Sequence, residues 1–227
     1  MFLGLYNYTT YLTYLNLISG FCGIGFAVYH KYSYSLIFLL ISGILDMFDG
    51  LVSRTKKNRT LLEKKYGVQI DSLADMISFA ILPVFINYTL LDDPQDIPKI
   101  IWFFWSLYVL AALIRLAYYN VLTEEYSTSH SQVQKFIGVP VTTSAIVFPC
   151  LGLLQKIFKN VSSIDKNIFF WIHFACLLLL TFLFLFKKIE LKKIKNKKIT
   201  IIISVLGTLW IISILIFKFA KWLNWNV

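Results

Sequence analysis

The chain has 227 residues, of which 58% are apolar and only 15% charged, and its mean hydropathy is +0.69. A water-soluble domain needs about a quarter of its residues charged to cover its surface. With 10 Gly, 5 Pro, 20 Phe and 13 Tyr, disordered and collagen-like chains are excluded as well, leaving a helical membrane protein.

Apolar runs of about 20 residues, the length that crosses a bilayer, fall at 11–29, 34–54, 67–89, 99–122, 136–156, 167–187 and 199–219. The expected fold is all-α, a polytopic bundle of about seven spans, with six to eight admitted by a C-terminus that re-enters near Trp222. Residues 1–227 read as a single integral membrane domain. Met1 to Thr10 has no basic stretch ahead of a cleavable apolar core, so the first span is expected to remain in the protein. Turn or charge signals separate the spans, starting with His30 to Ser33.

The net charge of +10 is concentrated rather than spread. With the N-terminus in the cytoplasm, loops 54–65, 115–135 and 187–198 face inward and hold 6, 2 and 7 Lys or Arg residues. The chain therefore reads as multi-pass, in the plasma membrane if the cell is prokaryotic. The basic runs anchor topology and attract anionic membrane lipids; no nucleic-acid module is present. Cys22, Cys150 and Cys176 lie in apolar stretches without pairing or zinc spacing, and read as small core residues. Phe103, Phe104, Trp105, Trp210 and Trp222 suit lipid-facing or interfacial positions.

Four of the 12 acids sit at span ends: Asp46 and Asp49, then Asp71 and Asp75. Spacings of three and four place each pair on one helical face. Gly50 and Ser53 continue the first face, and Gly67 continues the second. The two spans run antiparallel through a short basic loop, so both pairs belong at one cytoplasmic end. A carboxylate in hydrocarbon costs at least a few kcal/mol without a partner, and four together repel. Two divalent cations would resolve this, and an all-oxygen ligand set selects Mg²⁺ or Mn²⁺, with Ca²⁺ a further candidate. The plainer alternative is four interfacial acids paired with the adjacent Lys and Arg residues.

The residues read Asp46-Met-Phe-Asp49-Gly50-Leu-Val-Ser53-Arg54, twelve more, then Gly67-Val-Gln-Ile-Asp71-Ser-Leu-Ala-Asp75. This resembles the signature of the CDP-alcohol phosphatidyltransferase family, D-x2-D-G-x2-A-R, a spacer, then G-x3-D-x3-D. Its serine-utilising branch is the nearer match, through Asp71 to Phe79, Ile114-Arg115-Leu-Ala-Tyr-Tyr-Asn120 and Phe136-Ile-Gly138-Val-Pro140. Leu12 to Gly20 is similar to the family's opening helix. The likeness covers residues 10–150; 151–227 would be additional transmembrane helices. Ser53 stands where the signature has alanine, and the spacer before Gly67 is about four residues longer, about one helical turn.

The resemblance implies transfer of a phosphatidyl group from CDP-diacylglycerol to the hydroxyl of L-serine, releasing CMP. It makes Asp46, Asp49 and Asp71 metal ligands, and Asp75 the general base that also touches a metal. Asn16, Gly50, Ser53, Arg54 and Gly67 become contacts of the CDP-lipid. Arg115, with Asn120 and Lys135, becomes a candidate for holding the acceptor, since an isolated cation in an apolar segment suits a carboxylate or phosphate; a structural pairing of Arg115 is the other reading. A homodimer is also implied. Glycerol 3-phosphate or inositol phosphate as acceptor, or an ether-lipid donor, would keep the chemistry, whereas a cation transporter would use the same acids as an ion site. His30, His130 and His173 look unconnected to the site. No P-loop, Rossmann fingerprint or nucleophile elbow is present.

Overall fold

A computed structural model describes residues 4–53, 55–56, 59–91, 98–128, 135–161, 166–187 and 190–192. The seventh expected span, Arg54, His130, Trp210 and Trp222 lie outside the described residues.

Helix α1 (Tyr8–Val28) starts where the Asn7 backbone N–H donates to the Thr10 hydroxyl at 3.1 Å. It stops at His30, which takes a left-handed φ of 53°. There the His30 N–H bonds the Ala27 carbonyl and the Lys31 N–H the Phe26 carbonyl, each at 2.9 Å, which uses two otherwise orphaned carbonyls. The chain reverses at once into α2 (Tyr32–Ser53), which packs along α1.

Helix α3 (Leu61–Asp75) begins six residues before the expected span, so the connection from α2 is shorter than the sequence suggests. The cause is local. Thr60 accepts from the Glu63 N–H at 3.2 Å while Glu63 accepts from the Thr60 N–H at 3.0 Å, a reciprocal cap that nucleates the Lys-rich turn. The helix then widens into a π-helical segment, Met76–Ile81, before α4 (Leu82–Tyr88). Pro83 accounts for the widening. It has no N–H, and its ring collides with the carbonyl four residues back in a regular helix. That carbonyl belongs to Phe79, and it is turned to accept the Tyr108 hydroxyl at 2.9 Å and the Ser144 hydroxyl at 3.1 Å. Neighbouring spans thus satisfy the group that Pro83 frees, as hydrocarbon requires.

Helix α5 (Lys99–Thr128) runs six residues past its expected end. A two-stranded antiparallel ribbon, absent from the sequence expectation, pairs β1 (Lys135–Ile137) with β2 (Glu190–Lys192). A short 3-10 turn (Val141–Thr143) leads into α6 (Ser144–Val161), so the fifth span begins later than residue 136, and α7 (Lys166–Leu185) follows. Among the described residues, six helical stretches are long and apolar enough to cross a membrane: 8–28, 32–53, 61–88, 99–125, 141–158 and 167–185. The chain is a polytopic helical bundle.

The core gathers Leu39, Phe79, Leu82, Ile86, Tyr108, Phe148 and Leu177. Trp105 belongs there rather than at the lipid surface. Its indole N–H donates to Asn87 Oδ1 at 3.0 Å, and Asn87 Nδ2 donates to the Phe170 carbonyl at 3.0 Å, tying α4, α5 and α7 together. Phe103 is exposed on the bundle surface as expected, whereas Phe104 packs against the core. Cys22 and Cys150 also correct the expectation: both lie on the outer surface, and only Cys176 is partly buried. His173 is structural, buried against Phe148 with its Nε2 3.1 Å from the Tyr32 hydroxyl.

Without a hydrophobic force between helices in lipid, close approach depends on small residues. A Cβ on Gly20 would stand 2.3 Å from Ser78 Oγ and 2.9 Å from Ser78 Cα. Gly20→Val is therefore expected to force α1 away from the π-helical segment and destabilise the bundle by roughly 1–3 kcal/mol. A Cβ on Gly25 meets nothing within 4 Å, so Gly25→Val is the matched control. Thermal unfolding of the detergent-solubilised variants measures the difference; equal midpoints would remove the close-approach argument.

Candidate active site

The N-terminal half of α1, the C-terminal half of α2 and the C-terminal half of α3 converge at one end of the bundle. Asp46, Asp49 and Asp71 come together there, each offering a carboxylate oxygen within 4.8 Å of the others. Asp49 is buried, and Asp46 and Asp71 are half-buried. Asp75, 7% exposed, lies one turn deeper than Asp71, against Asp46. The spacing of three on α2 and four on α3 produces this, because the antiparallel helices present both faces to the same gap.

The third wall comes from α1. The Thr13 hydroxyl donates to Asp49 Oδ2 at 2.9 Å, and Asn16 Nδ2 donates to Asp75 Oδ1 at 3.2 Å. Both donors are neutral. Among the described residues no Lys or Arg forms an ion pair with any of the four acids, which sets aside the interfacial-pairing alternative for those residues. Asp71 Oδ1 is buried and has no hydrogen-bond donor. Clustered carboxylates with an orphaned buried oxygen and only oxygen donors fit a hard divalent cation, since the one described cation whose charge reaches them, Arg59 at Asp49, offsets a single charge of the four.

Above this floor opens a cavity of about 770 Å³, within the range of substrate pockets. Thr9, Thr10 and Thr13 line it from α1, Asp49, Gly50 and Ser53 from α2, Gly67, Gln69 and Asp71 from α3, and Asn120 and Thr123 from α5. Lys56, Arg59, Lys64 and Lys65 form its basic rim. A Cβ on Gly50 would meet nothing within 4 Å, so that backbone is open to whatever fills the cavity. Ser53 turns its hydroxyl to the Gly50 carbonyl at 3.1 Å, so the added hydroxyl is absorbed by its own helix.

Of the expected site residues, Asp49, Gly50, Ser53, Gly67, Asp71 and Asn120 line the cavity. Asn120 is held there by α3, accepting from Ser72 Oγ at 2.8 Å. Asp46, Asp75 and Asn16 lie beneath the cavity rather than along its wall. Arg115 is elsewhere. It is 7% exposed, 5.4 Å over the Tyr119 ring, and lines a separate pocket of about 190 Å³ with Tyr118, Phe184 and Lys187. Gly138, at φ 76°, allows the chain to pass close beside it: a Cβ there would stand 2.9 Å from Arg115 Nη1. Of Lys135 only the backbone is described, paired opposite Lys192 in the ribbon.

The sequence reading missed Thr13 and Thr9, although Thr9, Thr13, Asn16 and Gly20 recur at helical spacing as a polar and small stripe on an apolar helix. It also missed Arg59, a loop residue with no periodicity to mark it.

A profile of the CDP-alcohol phosphatidyltransferase family matches residues 6–179. Curated relatives called CDP-diacylglycerol–serine O-phosphatidyltransferase include one from Mycobacterium tuberculosis H37Rv, 28% identical over 143 residues, covering 63% of this chain and 47% of the relative. One from Helicobacter pylori J99 is 27% identical over 165 residues, covering 73% and 65%. One from Saccharomyces cerevisiae is 33% identical over 166 residues, covering 66% and 56%. The chain thus spans about half to two thirds of the length of these relatives. Since the family profile covers most of the chain and includes all four aspartates, the chain belongs to the CDP-alcohol phosphatidyltransferase family.

Proposed function

We propose that this protein transfers the phosphatidyl group of CDP-diacylglycerol to the hydroxyl of L-serine, giving phosphatidylserine and CMP. The observation that carries the reading is the set of three carboxylates within 4.8 Å, one with an orphaned oxygen, beneath an open cavity at one end of a membrane bundle. The names of the curated relatives support the serine acceptor. The basic runs support a site facing the cytoplasm. In this reading residues 10–150 carry the core, and the helices beyond are additional spans.

Asp46, Asp49 and Asp71 would hold Mg²⁺ or Mn²⁺, two ions by the charge argument. The metal would supply compensation for the diphosphate charge and for the charge that develops on departing CMP. The chain's own residues supply the rest. The serine oxygen attacks the lipid-side phosphorus, the bond from that phosphorus to the CMP oxygen breaks, and the hydroxyl proton passes to the Asp75 carboxylate. An alcohol ionises far above neutral pH, so attack needs such a base. Asp75 suits the role because it stands outside the three-carboxylate set and Asn16 fixes its orientation. Gly50 and Gly67 leave room for the cytidine portion against the backbone. Among the described residues no Cys lines the cavity, which favours one direct displacement over a thiol-bound intermediate.

The basic rim favours a second reading, in which the acceptor itself bears a phosphate, as glycerol 3-phosphate and inositol phosphate do. CMP release from CDP-diacylglycerol with each acceptor, with and without Mn²⁺, separates the two. Release that requires serine and metal is expected; release only with a phosphorylated acceptor would replace serine and keep the site. No release with any acceptor, from folded protein, would sink the transfer reading.

Two substitutions assign the roles. Asp75→Asn is expected to lower kcat by about 100-fold or more while CMP binding in Mn²⁺ persists; near-normal turnover would remove Asp75 as the base. Asp71→Asn takes charge from the metal set itself. It is expected to weaken Mn²⁺ binding, read by calorimetry without substrate, and wild-type affinity would overturn its assignment as a ligand.

A further inference from the structure

The four cations on the cavity rim are not equivalent. Lys56 is paired with Glu63 and Lys65 with Glu124, so much of their charge is already compensated. Lys64 is exposed to solvent. Arg59 differs from all three. It is half-buried, lines the cavity, and among the described residues forms no ion pair. Of its five N–H donors, Nη2 bonds the Thr9 hydroxyl at 3.1 Å, while Nε is buried with no partner. An unsatisfied buried donor on a charged group costs more than a neutral one.

The surrounding structure holds this guanidinium in place. Glu63 binds Lys56 Nζ at 2.7 Å, Asn7 Nδ2 at 2.9 Å and the Thr60 N–H at 3.0 Å, which fastens the α2–α3 connection to the start of α1. Arg59 lies within that fastened segment. Its Nη2 rests over Gly67, 3.4 Å from where a Cβ would be, and its charge reaches Asp49. The guanidinium is thus fixed beside the carboxylate floor with donors to spare.

On the basis of the phosphatidyl-transfer reading, we infer that Arg59 is a substrate-binding residue that takes an oxyanion of a bound substrate, with Thr9 and the Glu63 contacts holding it ready. The oxyanion belongs either to the diphosphate of the CDP-lipid or to the carboxylate of serine. A planar fork of donors matches both groups. Lys56 and Lys65 are poorer candidates, because a substrate would have to displace a carboxylate that already occupies them.

The test uses the full-length protein in detergent with Arg59→Gln, which keeps an amide donor for Thr9 without the charge, and Arg59→Lys, which keeps the charge without the fork. CMP release is followed with each substrate titrated at saturating levels of the other, and CMP binding is measured separately in Mn²⁺. Arg59→Gln is expected to raise the KM of one substrate about tenfold or more, with Arg59→Lys between it and wild type. A raised KM for CDP-diacylglycerol with weaker CMP binding assigns the oxyanion to the diphosphate. A raised KM for serine with unchanged CMP binding assigns it to the carboxylate. Both KM values within about twofold of wild type, or a loss of kcat alone, would overturn the inference. Wild-type protein that releases no CMP would fell the transfer reading and this inference with it, whereas normal wild-type turnover with unaltered Arg59→Gln kinetics removes Arg59 alone.

Discussion

Burying carboxylates at the end of a membrane bundle is the constraint on which this structure depends. Asp49 and Asp75 are each 7% exposed, and the described hydrogen bonds that reach them come from Thr13 and Asn16. Neutral donors offset part of the desolvation cost and none of the mutual repulsion. Helix α1 must therefore lie close to both α2 and α3. Asn16 shows how tightly: its side chain meets Asp75 while its backbone carbonyl accepts Ser42 Oγ from α2 at 3.3 Å and Ser78 Oγ from the π-helical segment at 3.1 Å. Gly20, one turn further on, supplies the missing volume. The polar site and the small-residue packing are one device.

The widened turn after Asp75 belongs to the same device. A π-helical segment carries an extra residue per turn and often occurs at functional sites. Here it separates two demands on one span. Gly67, Asp71 and Asp75 face the gap, whereas Phe79 within the widening and Leu82 and Ile86 beyond it are fully buried in the core. Pro83 makes the irregularity obligatory, and the Tyr108 and Ser144 hydroxyls make it tolerable in hydrocarbon. The bonds that stabilise the bend also bring α5 and α6 against the span that carries two of the four acids.

Much of this was legible in the sequence. The six described spans follow from hydropathy, because nothing else hides backbone polar groups in lipid, although caps and turns move their ends by several residues. The meeting of Asp46, Asp49 and Asp71 follows from helical spacing and a short connection. What stayed hidden depends on partners distant in sequence. Trp105 reads as an interfacial aromatic until Asn87 takes its N–H. Cys22 reads as core because an apolar span has two sides, and composition does not say which one meets lipid. Lys-rich Thr60 to Lys65 reads as loop because charge is more conspicuous than the Thr60–Glu63 cap, which starts α3 early. Arg115 reads as part of the acid-lined site, yet it lines its own pocket between α5 and the end of α7.

Compensated and uncompensated charge are arranged along the axis of the cavity. At the rim, Lys56 and Lys65 already have carboxylates, and those pairs hold loop to helix and α3 to α5. Ion pairs this near solvent contribute little energy, so their effect is geometric: they close the walls around the opening. Further in, Arg59 and the four aspartates have no ionic partner among the described residues and are held by hydroxyls, an amide and packing. A site whose charges were all paired internally would have to break those pairs to bind anything charged. Here a cation and a group of anions stand close together without an ionic partner among the described residues, so a ligand carrying both a metal and an oxyanion would complete the electrostatics instead of competing with it. A metal-bound diphosphate has that pattern of charge.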